Sequence, residues 1–196
     1  MKKTLLAVAM TAMLCATASA QTTAPGPWLV RLRAVNLDSV NGDSTGLALS
    51  INNKVLPELD ISYFFTPNIA AELVLTVPQK QTLSAGGTEI GSFKHLPPSL
   101  TLQYHFPMNG FKPYVGAGIN YTRISSVSLP AGVDVDRNSF GPVLQVGVDI
   151  PVGKNLYLNL DVKKAYIRTE VSANGVGLGD FKIDPVLFGV GLGWRF

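Results

Sequence analysis

From Trp28 onward the chain alternates apolar and polar residues with a period of two, and it does so in eight separate segments. In "WLVRLRAVNL", Trp28, Val30, Leu32 and Ala34 alternate with Leu29, Arg31 and Arg33. "PELDISYFF" sets Leu59, Ile61, Tyr63 and Phe65 against Glu58, Asp60 and Ser62, and "IAAELVLT" sets Ile69, Ala71, Leu73 and Leu75 against Glu72 and Thr76. "SLTLQYHF", "PYVGAGINYT", "PVLQVGVDI" and "LYLNLDVKKAYI" repeat the scheme, with Gln103, Asn120, Asp149, Asp161 and Lys163 on the polar face. The last segment, "DPVLFGVGLGWRF", aligns Phe188, Val190, Leu192, Trp194 and Phe196 on one face. Period two is the pattern of a strand with two unlike faces. No helical period separates the eight segments, so the chain is confined to all-β architectures.

Residues 1–20 stand apart. Lys2 and Lys3, an apolar stretch from Leu5 to Ala16, and Ala18-Ser19-Ala20 make a secretory signal peptide, cleaved before Gln21. The stretch is too short for a membrane-spanning helix, which needs about 20 residues. Its Cys15 follows the bulky Leu14, which argues against a lipoprotein cleavage site. Residues 21–196 form the second unit, a single domain without cysteine, which excludes disulfides, a thiol nucleophile and cysteine metal sites. In that domain 14 basic face 13 acidic residues, so charge gives no case for nucleic-acid binding. Mean hydropathy over all 196 residues is nevertheless positive, at +0.25. A transmembrane β-barrel reconciles this with the lack of a long apolar run, because only alternate residues need be apolar.

The connections support the same reading. "TPN", "PMNGFKP" and "PVGKN" are short, whereas the links over 37–54, 77–98, 125–138 and 169–183 are long. Short periplasmic turns alternating with four longer extracellular loops, on an even number of antiparallel strands, describe an eight-stranded transmembrane barrel. A lipid-facing Lys or Arg at the bilayer midplane costs roughly 2–4 kcal/mol, so the nearly uncharged register must face outward. Lys164 and Arg168 break the rule only near the upper interface, where long basic side chains snorkel. Tyr121 and Tyr166 above, and Phe65, Phe106, Trp194 and Phe196 below, are placed as aromatic girdles. Outer-membrane lipid and lipopolysaccharide are then the surrounding partners, in the outer membrane of a Gram-negative cell. A soluble lipocalin-like carrier would need the opposite polarity, apolar inside.

"FKHLPPSLTLQYHF", "FKPYVGAGINYT", "NLYLNLDVKKAYI", "IDPVLFGVGLGWRF" and the entry "WLVRLRAVNL" closely resemble the OmpW family of outer-membrane proteins, collinearly over the whole of the second unit. The resemblance implies an eight-stranded barrel that takes part in passage of small hydrophobic molecules. It also implies a narrow, largely apolar interior reached from the extracellular loops. The closing aromatics Trp194 and Phe196 resemble the signal read by the barrel-assembly machinery. The loops "NGDSTGLALS" and "TLSAGGTEIGS" carry no motif that identifies a solute.

An eight-stranded barrel is wide enough only for its own side chains, which excludes a general water-filled porin. The inward set holds Arg31, Arg33, Lys163 and Arg195 with Glu58, Asp60, Glu72, Asp149 and Asp161, and is expected to plug the lower and middle lumen as a paired network. Gly189, Gly191 and Gly193 make room beside them; without a following helix N-terminus they form no phosphate cradle. Apolar residues near the upper end, Leu47, Leu49, Val55, Leu56, Phe93 and Leu96, are the candidate hydrophobic pocket. Pro57 beside them can interrupt a ladder bond, which suggests entry from the loops and lateral exit into the membrane. His95 in a loop and His105 near the periplasmic end fit no hydrolase pattern, and His105 reads as an inward, hydrogen-bonded residue. Asp134 and Asp136 read as a solvated acidic loop rather than a cation site. No catalytic residue, metal or cofactor is called for. A structural, adhesive or receptor-type barrel without transport is the alternative function.

Overall fold

A computed structural model describes residues 26–196; the leader expected over residues 1–20 lies outside the described residues. The strands in chain order are β1 (Trp28–Asp38), β2 (Gly42–Asp43), β3 (Leu49–Ile51), β4 (Lys54–Phe64), β5 (Ile69–Thr76) and β6 (Gln79–Ala85). Next come β7 (Thr88–Leu96), β8 (Ser99–His105), β9 (Lys112–Ser128), β10 (Val133–Val135) and β11 (Asn138–Pro151). The chain closes with β12 (Leu156–Ala165), β13 (Arg168–Ala173), β14 (Val176–Lys182) and β15 (Val186–Arg195).

Eight of these form the ring β1, β4, β5, β8, β9, β11, β12, β15 and back to β1, with every neighbour antiparallel. Closure leaves no edge strand in the ring, the condition for a sheet to sit in lipid. The β1–β15 seam runs from Leu29 opposite Arg195 to Asp38 opposite Val186, and Trp28 and Phe196 exchange backbone hydrogen bonds of 3.0 and 2.9 Å at its lower end.

The outward register is apolar and open. Leu32, Leu102, Ile119, Val146 and Val190 are each about half exposed; so continuous a patch is a lipid-facing surface rather than a water-facing one. Rings bound it at both ends. Trp28, Tyr63 and Phe65 stack edge to face below, with centroids 4.8 and 5.3 Å apart, and Tyr121 meets Phe140 above at 5.0 Å. Phe140 and Ile150 mark the band on β11; their separation spans about 33 Å of strand, or about 25 Å along the axis at a tilt of about 40°. That matches the height of an outer-membrane barrel's apolar band, about 25 Å. Lys164 sits at the upper rim, where its ammonium donates to the Asp184 carbonyl and lies 5.8 Å from the Tyr166 ring centre.

The four long connections are not plain loops, and here the structure corrects the sequence reading. β6 and β7 form a hairpin over Gly86-Gly87 (φ 55° and 83°), and β13 and β14 a hairpin over Asn174-Gly175 (φ 49° and 80°). Two successive positive φ angles are the mark of a primed two-residue turn. β7 extends the sheet alongside the top of β9 and β6 pairs with β3, while β10, β13, β14 and β2 make a second sheet. These strands persist because their inward residues have a core to enter. Leu49, Ile51, Leu83, Phe93, Val135, Val171 and Phe181 pack with Ile124, Val143, Ala165, Ile167 and Ile183.

Bulk and space alternate across the seam. A Cβ on Gly191 would strike the Leu32 carbonyl and the Arg33 Cα, whereas one on Gly189 would meet nothing nearer than 3.4 Å. Overpacking of this kind costs roughly 1–3 kcal/mol. Gly191→Val is therefore expected to lower barrel stability by at least about 2 kcal/mol in urea titrations in detergent micelles, and Gly189→Ala to leave it nearly unchanged.

Candidate functional site

The lower and middle lumen is filled by charge. On β1 the inward positions 31 and 33 are arginines, and both side chains are fully buried. Arg31 donates to Glu72 at 2.6 Å and Ser62 at 2.9 Å, and forks onto both Asp149 oxygens at 3.1 and 2.6 Å. Arg33 donates to Asp60 at 2.5 Å and Asn159 at 3.1 Å, and pairs with Asp161 at 3.2 Å and Glu58 at 3.2 Å. Lys163 reaches Glu58 at 2.6 Å and Asp161 at 3.0 Å. Arg195, at the periplasmic end, donates to the Gly26 carbonyl at 2.9 Å and lies 3.9 Å above the Phe64 ring. His105 is buried, with Nε2 3.0 Å from Gln103 Oε1 and its ring against Phe64 and Tyr114. Burying ions is expensive unless each finds several partners, and Arg31, Arg33 and Lys163 all do.

Neutral residues that were not singled out from the sequence complete the network. Gln145 donates to Glu72 and Asp161, each at 2.9 Å, and the Tyr114 hydroxyl donates to Asp161 at 2.8 Å. Tyr114 shares the inward parity of Asn120 on β9 and stands opposite Gly147, where a Cβ would collide with the tyrosine ring.

Above this floor the interior changes character. A cavity of about 30 Å³ has walls of Leu37, Leu56, Val74, Val143 and Leu187 and touches Glu58 and Lys163 below. The apolar cluster carried by the upper hairpins lies over it. Of the candidate pocket residues, Leu49 and Phe93 are buried in that cluster, Leu56 lines the cavity, and Leu96 is half-buried at the end of β7. Leu47 stays 43% exposed. Val55 is 66% exposed on the outer face of β4, because that strand already begins at Lys54 and carries Val55 on the same parity as Leu59, Ile61 and Tyr63. It does not join the others. Pro57 turns its carbonyl toward β5, where it accepts the Thr76 hydroxyl at 2.9 Å. In the β9–β11 connection Asp134 is held by Arg137 at 2.7 Å.

His95 is not in a loop. It lies on β7, 1% exposed, three strand positions beyond the level of Tyr121, opposite Ile124. Burial, with the Lys54 ammonium nearby, pushes its imidazole down to about 4.

A closed antiparallel ring with a lipid-facing exterior, two aromatic girdles and an ion-paired lumen defines an outer-membrane β-barrel. The sequence profile of the OmpW family matches residues 30–196, and the chain belongs to that family. An uncharacterized outer-membrane protein of Sinorhizobium fredii is 43% identical, across 93% of this chain and 91% of its own. A Pseudomonas aeruginosa relative, the dibenzothiophene metabolism operon protein PahQ, is 29% identical across 87% of this chain and 89% of its own. The crystal structure of the outer membrane protein OprG from Pseudomonas aeruginosa superposes with a TM-score of 0.74 at 25% identity, covering 88% of this chain and 96% of OprG.

Arg31→Met leaves Asp149 buried without its cation and Glu72 with only the 3.5 Å pair to Arg33, and should cost about 3–5 kcal/mol in unfolding titrations of the reconstituted barrel. His95 gives a pH dependence of opposite origin. Its folded-state affinity for protons is lower than its ordinary value of 6.5, so the unfolded hairpin binds the proton more readily. The β6–β7 hairpin is then fully stable above about pH 6.5 and weakens progressively as pH falls toward 4. Hydrogen exchange corrected for intrinsic rates should show this loss of protection between pH 7 and pH 5, and His95→Leu should remove it.

Proposed function

We propose that the barrel passes small hydrophobic molecules from the external medium into the outer membrane, through the apolar upper lumen and sideways out above the ion-paired plug. The observation that carries this reading is the change of interior polarity at mid-height. An apolar solute that enters there parts side chains packed on one another, among them Leu49, Phe93, Ile124 and Val143, and meets apolar contacts as it does so. Further descent would require separating buried ion pairs, which costs several kcal/mol for each. The axial route is therefore the expensive one.

The wall is weakest beside the cavity. The β4–β5 ladder ends at Glu58 opposite Thr76, and the β5–β8 ladder ends at Val74 opposite Ser99. Just beyond these ends stand Pro57, Pro78, Pro97 and Pro98, none of which has an N–H to extend a ladder. Leu56, Thr76 and Pro97 belong to the cavity wall, so this stretch borders the solute space directly. The Thr76–Pro57 bond and a 3.2 Å bond from the Lys54 ammonium to the Lys80 carbonyl bridge it. Two contacts of this kind are within reach of thermal opening, at about 1 kcal/mol net each. The relative named for dibenzothiophene metabolism fits a solute that is flat, apolar and poorly soluble in water.

Uptake of dibenzothiophene by cells producing the protein, against a strain lacking it, tests the reading. Leu56→Asn or Phe93→Asn places an amide on the apolar path at a cost of about 1–3 kcal/mol, and should slow uptake roughly tenfold. Equal uptake with and without the protein would favour the structural barrel. Unchanged uptake in both variants would remove Leu56 and Phe93 from the path.

A further inference from the structure

Two polar side chains in the upper lumen are used by neither the plug nor the wall. Gln81 on β6 is 0% exposed and His95 on β7 is 1% exposed. Among the described residues, neither amide atom of Gln81 and neither ring nitrogen of His95 has a protein hydrogen-bond partner. Both lie on the inner face of the β6–β7 hairpin, where their neighbours are Leu83, Phe93 and Ile124 of the apolar cluster. Buried polar groups are almost always paired, and each exception asks for a reason.

Their surroundings sharpen the contrast. Gln79, one position down the same face, donates to the Val77 carbonyl at 2.9 Å. Thr122 donates to Asn120 at 2.6 Å, and Asn120 in turn donates to Pro97, Pro98 and Ser99. The fold satisfies the polar residues immediately below and leaves this pair unsatisfied. Gln79 stands opposite His95 and Gln81 opposite Phe93, so Gln81 and His95 are diagonal neighbours. Diagonal neighbours on paired strands are about 7–8 Å apart. Both side chains are long enough to reach across that distance, so one small polar group can meet both.

We infer that Gln81 and His95 form a polar recognition site on the solute path, selecting neutral hydrophobic molecules that carry a single oxygen function, such as a phenol, an alcohol or a ketone. The inference rests on the transport reading above and names its substrate class. At neutral pH the imidazole is uncharged, so each residue offers one donor and one acceptor face. The pair thus serves a carbonyl, which only accepts, and a hydroxyl, which does both. Neither residue carries charge to hold an ion, and the nearby Lys54 ammonium is engaged with the Lys80 carbonyl. The aromatic face of Phe93, its ring centre 6.3 Å from that of His95, supplies apolar contact for the body of the solute.

Naphthalene and 1-naphthol differ by one hydroxyl and make the test. Uptake of each by cells producing the full-length protein is measured against a strain lacking it, and again for Gln81→Leu, His95→Leu and the double variant. The unaltered barrel should favour 1-naphthol. The double variant should lose that preference by at least about tenfold, with naphthalene uptake kept or raised. Heat-modifiable gel mobility confirms that each variant folds. A separate readout uses the unaltered barrel: the His95 ring nitrogen resonances should shift on titration with 1-naphthol and not with naphthalene. If both solutes enter with a ratio that the substitutions do not alter, the site is wrong and transport stands. If neither enters but the His95 resonances respond to 1-naphthol alone, the transport reading fails and the site remains as a binding site. If the resonances respond equally to both solutes, the inference is overturned even where the variants do not fold.

Discussion

Arg31 and Arg33 hold the inside of this barrel together. Both project from β1, yet Arg31 binds Ser62 on β4, Glu72 on β5 and Asp149 on β11, while Arg33 binds Asp60 on β4 and Asn159 on β12. Long planar guanidinium groups can engage several strands at once, and in a ring this narrow no second layer is available to do so. The small residues opposite follow from the same need. Gly191 and Gly193 leave room for the arginine stems, and Gly147 leaves room for the Tyr114 ring that finishes the network. The lower lumen is thereby filled with paired side chains.

The polarity of the protein reverses near Tyr121. Within the lipid band apolar side chains face out and charges face in, as with Ile119 against Asp149. Above it the arrangement is that of a water-soluble protein: Leu83, Phe93 and Ile124 are buried, while Lys80, Lys94 and Arg123 are exposed. One continuous strand, β9, passes through both regimes and keeps its parity through Ile124, shifting only beyond it at Ser126, where φ is 49°. The surrounding solvent changes, and the inner face changes from ionic to apolar with it. That junction is where the cavity, the proline-rich gap in the wall and the end of the β5–β8 ladder coincide.

Much of this was legible in the sequence, for a definite reason. Strand parity is local, so the alternation in "WLVRLRAVNL" places Arg31 and Arg33 inside without knowledge of any partner. Which inward side chains meet across the lumen depends on how far the ring is sheared, and that is not local; the Arg31–Asp149 contact joins residues 118 positions apart. Val55 and Leu56 are adjacent on β4, so strand alternation sends Leu56 inward and Val55 outward, and the two cannot line one pocket. The Asn174-Gly175 and Gly86-Gly87 pairs were turn signals in plain view, but the segments around them are too polar to announce a buried face. Gln81 lies in one of these, "QKQTLSA", and its burial comes only from the strands that pack over it.

The seam strand has one more implication. Along β15 the inner face between Leu187 and Arg195 is bare, with Gly189, Gly191 and Gly193 at successive inward positions. A strand whose inner face is bare between Leu187 and Arg195 can slide into register against β1 without dragging bulk past the arginines. The charged interior can then be assembled on the other strands before the ring shuts, and the closing step resembles drawing a bolt more than fitting a plug. The bulk of this strand lies on its outer face, at Phe188, Val190, Leu192 and Trp194, and the paired backbones of Trp28 and Phe196 close the lower end of the seam.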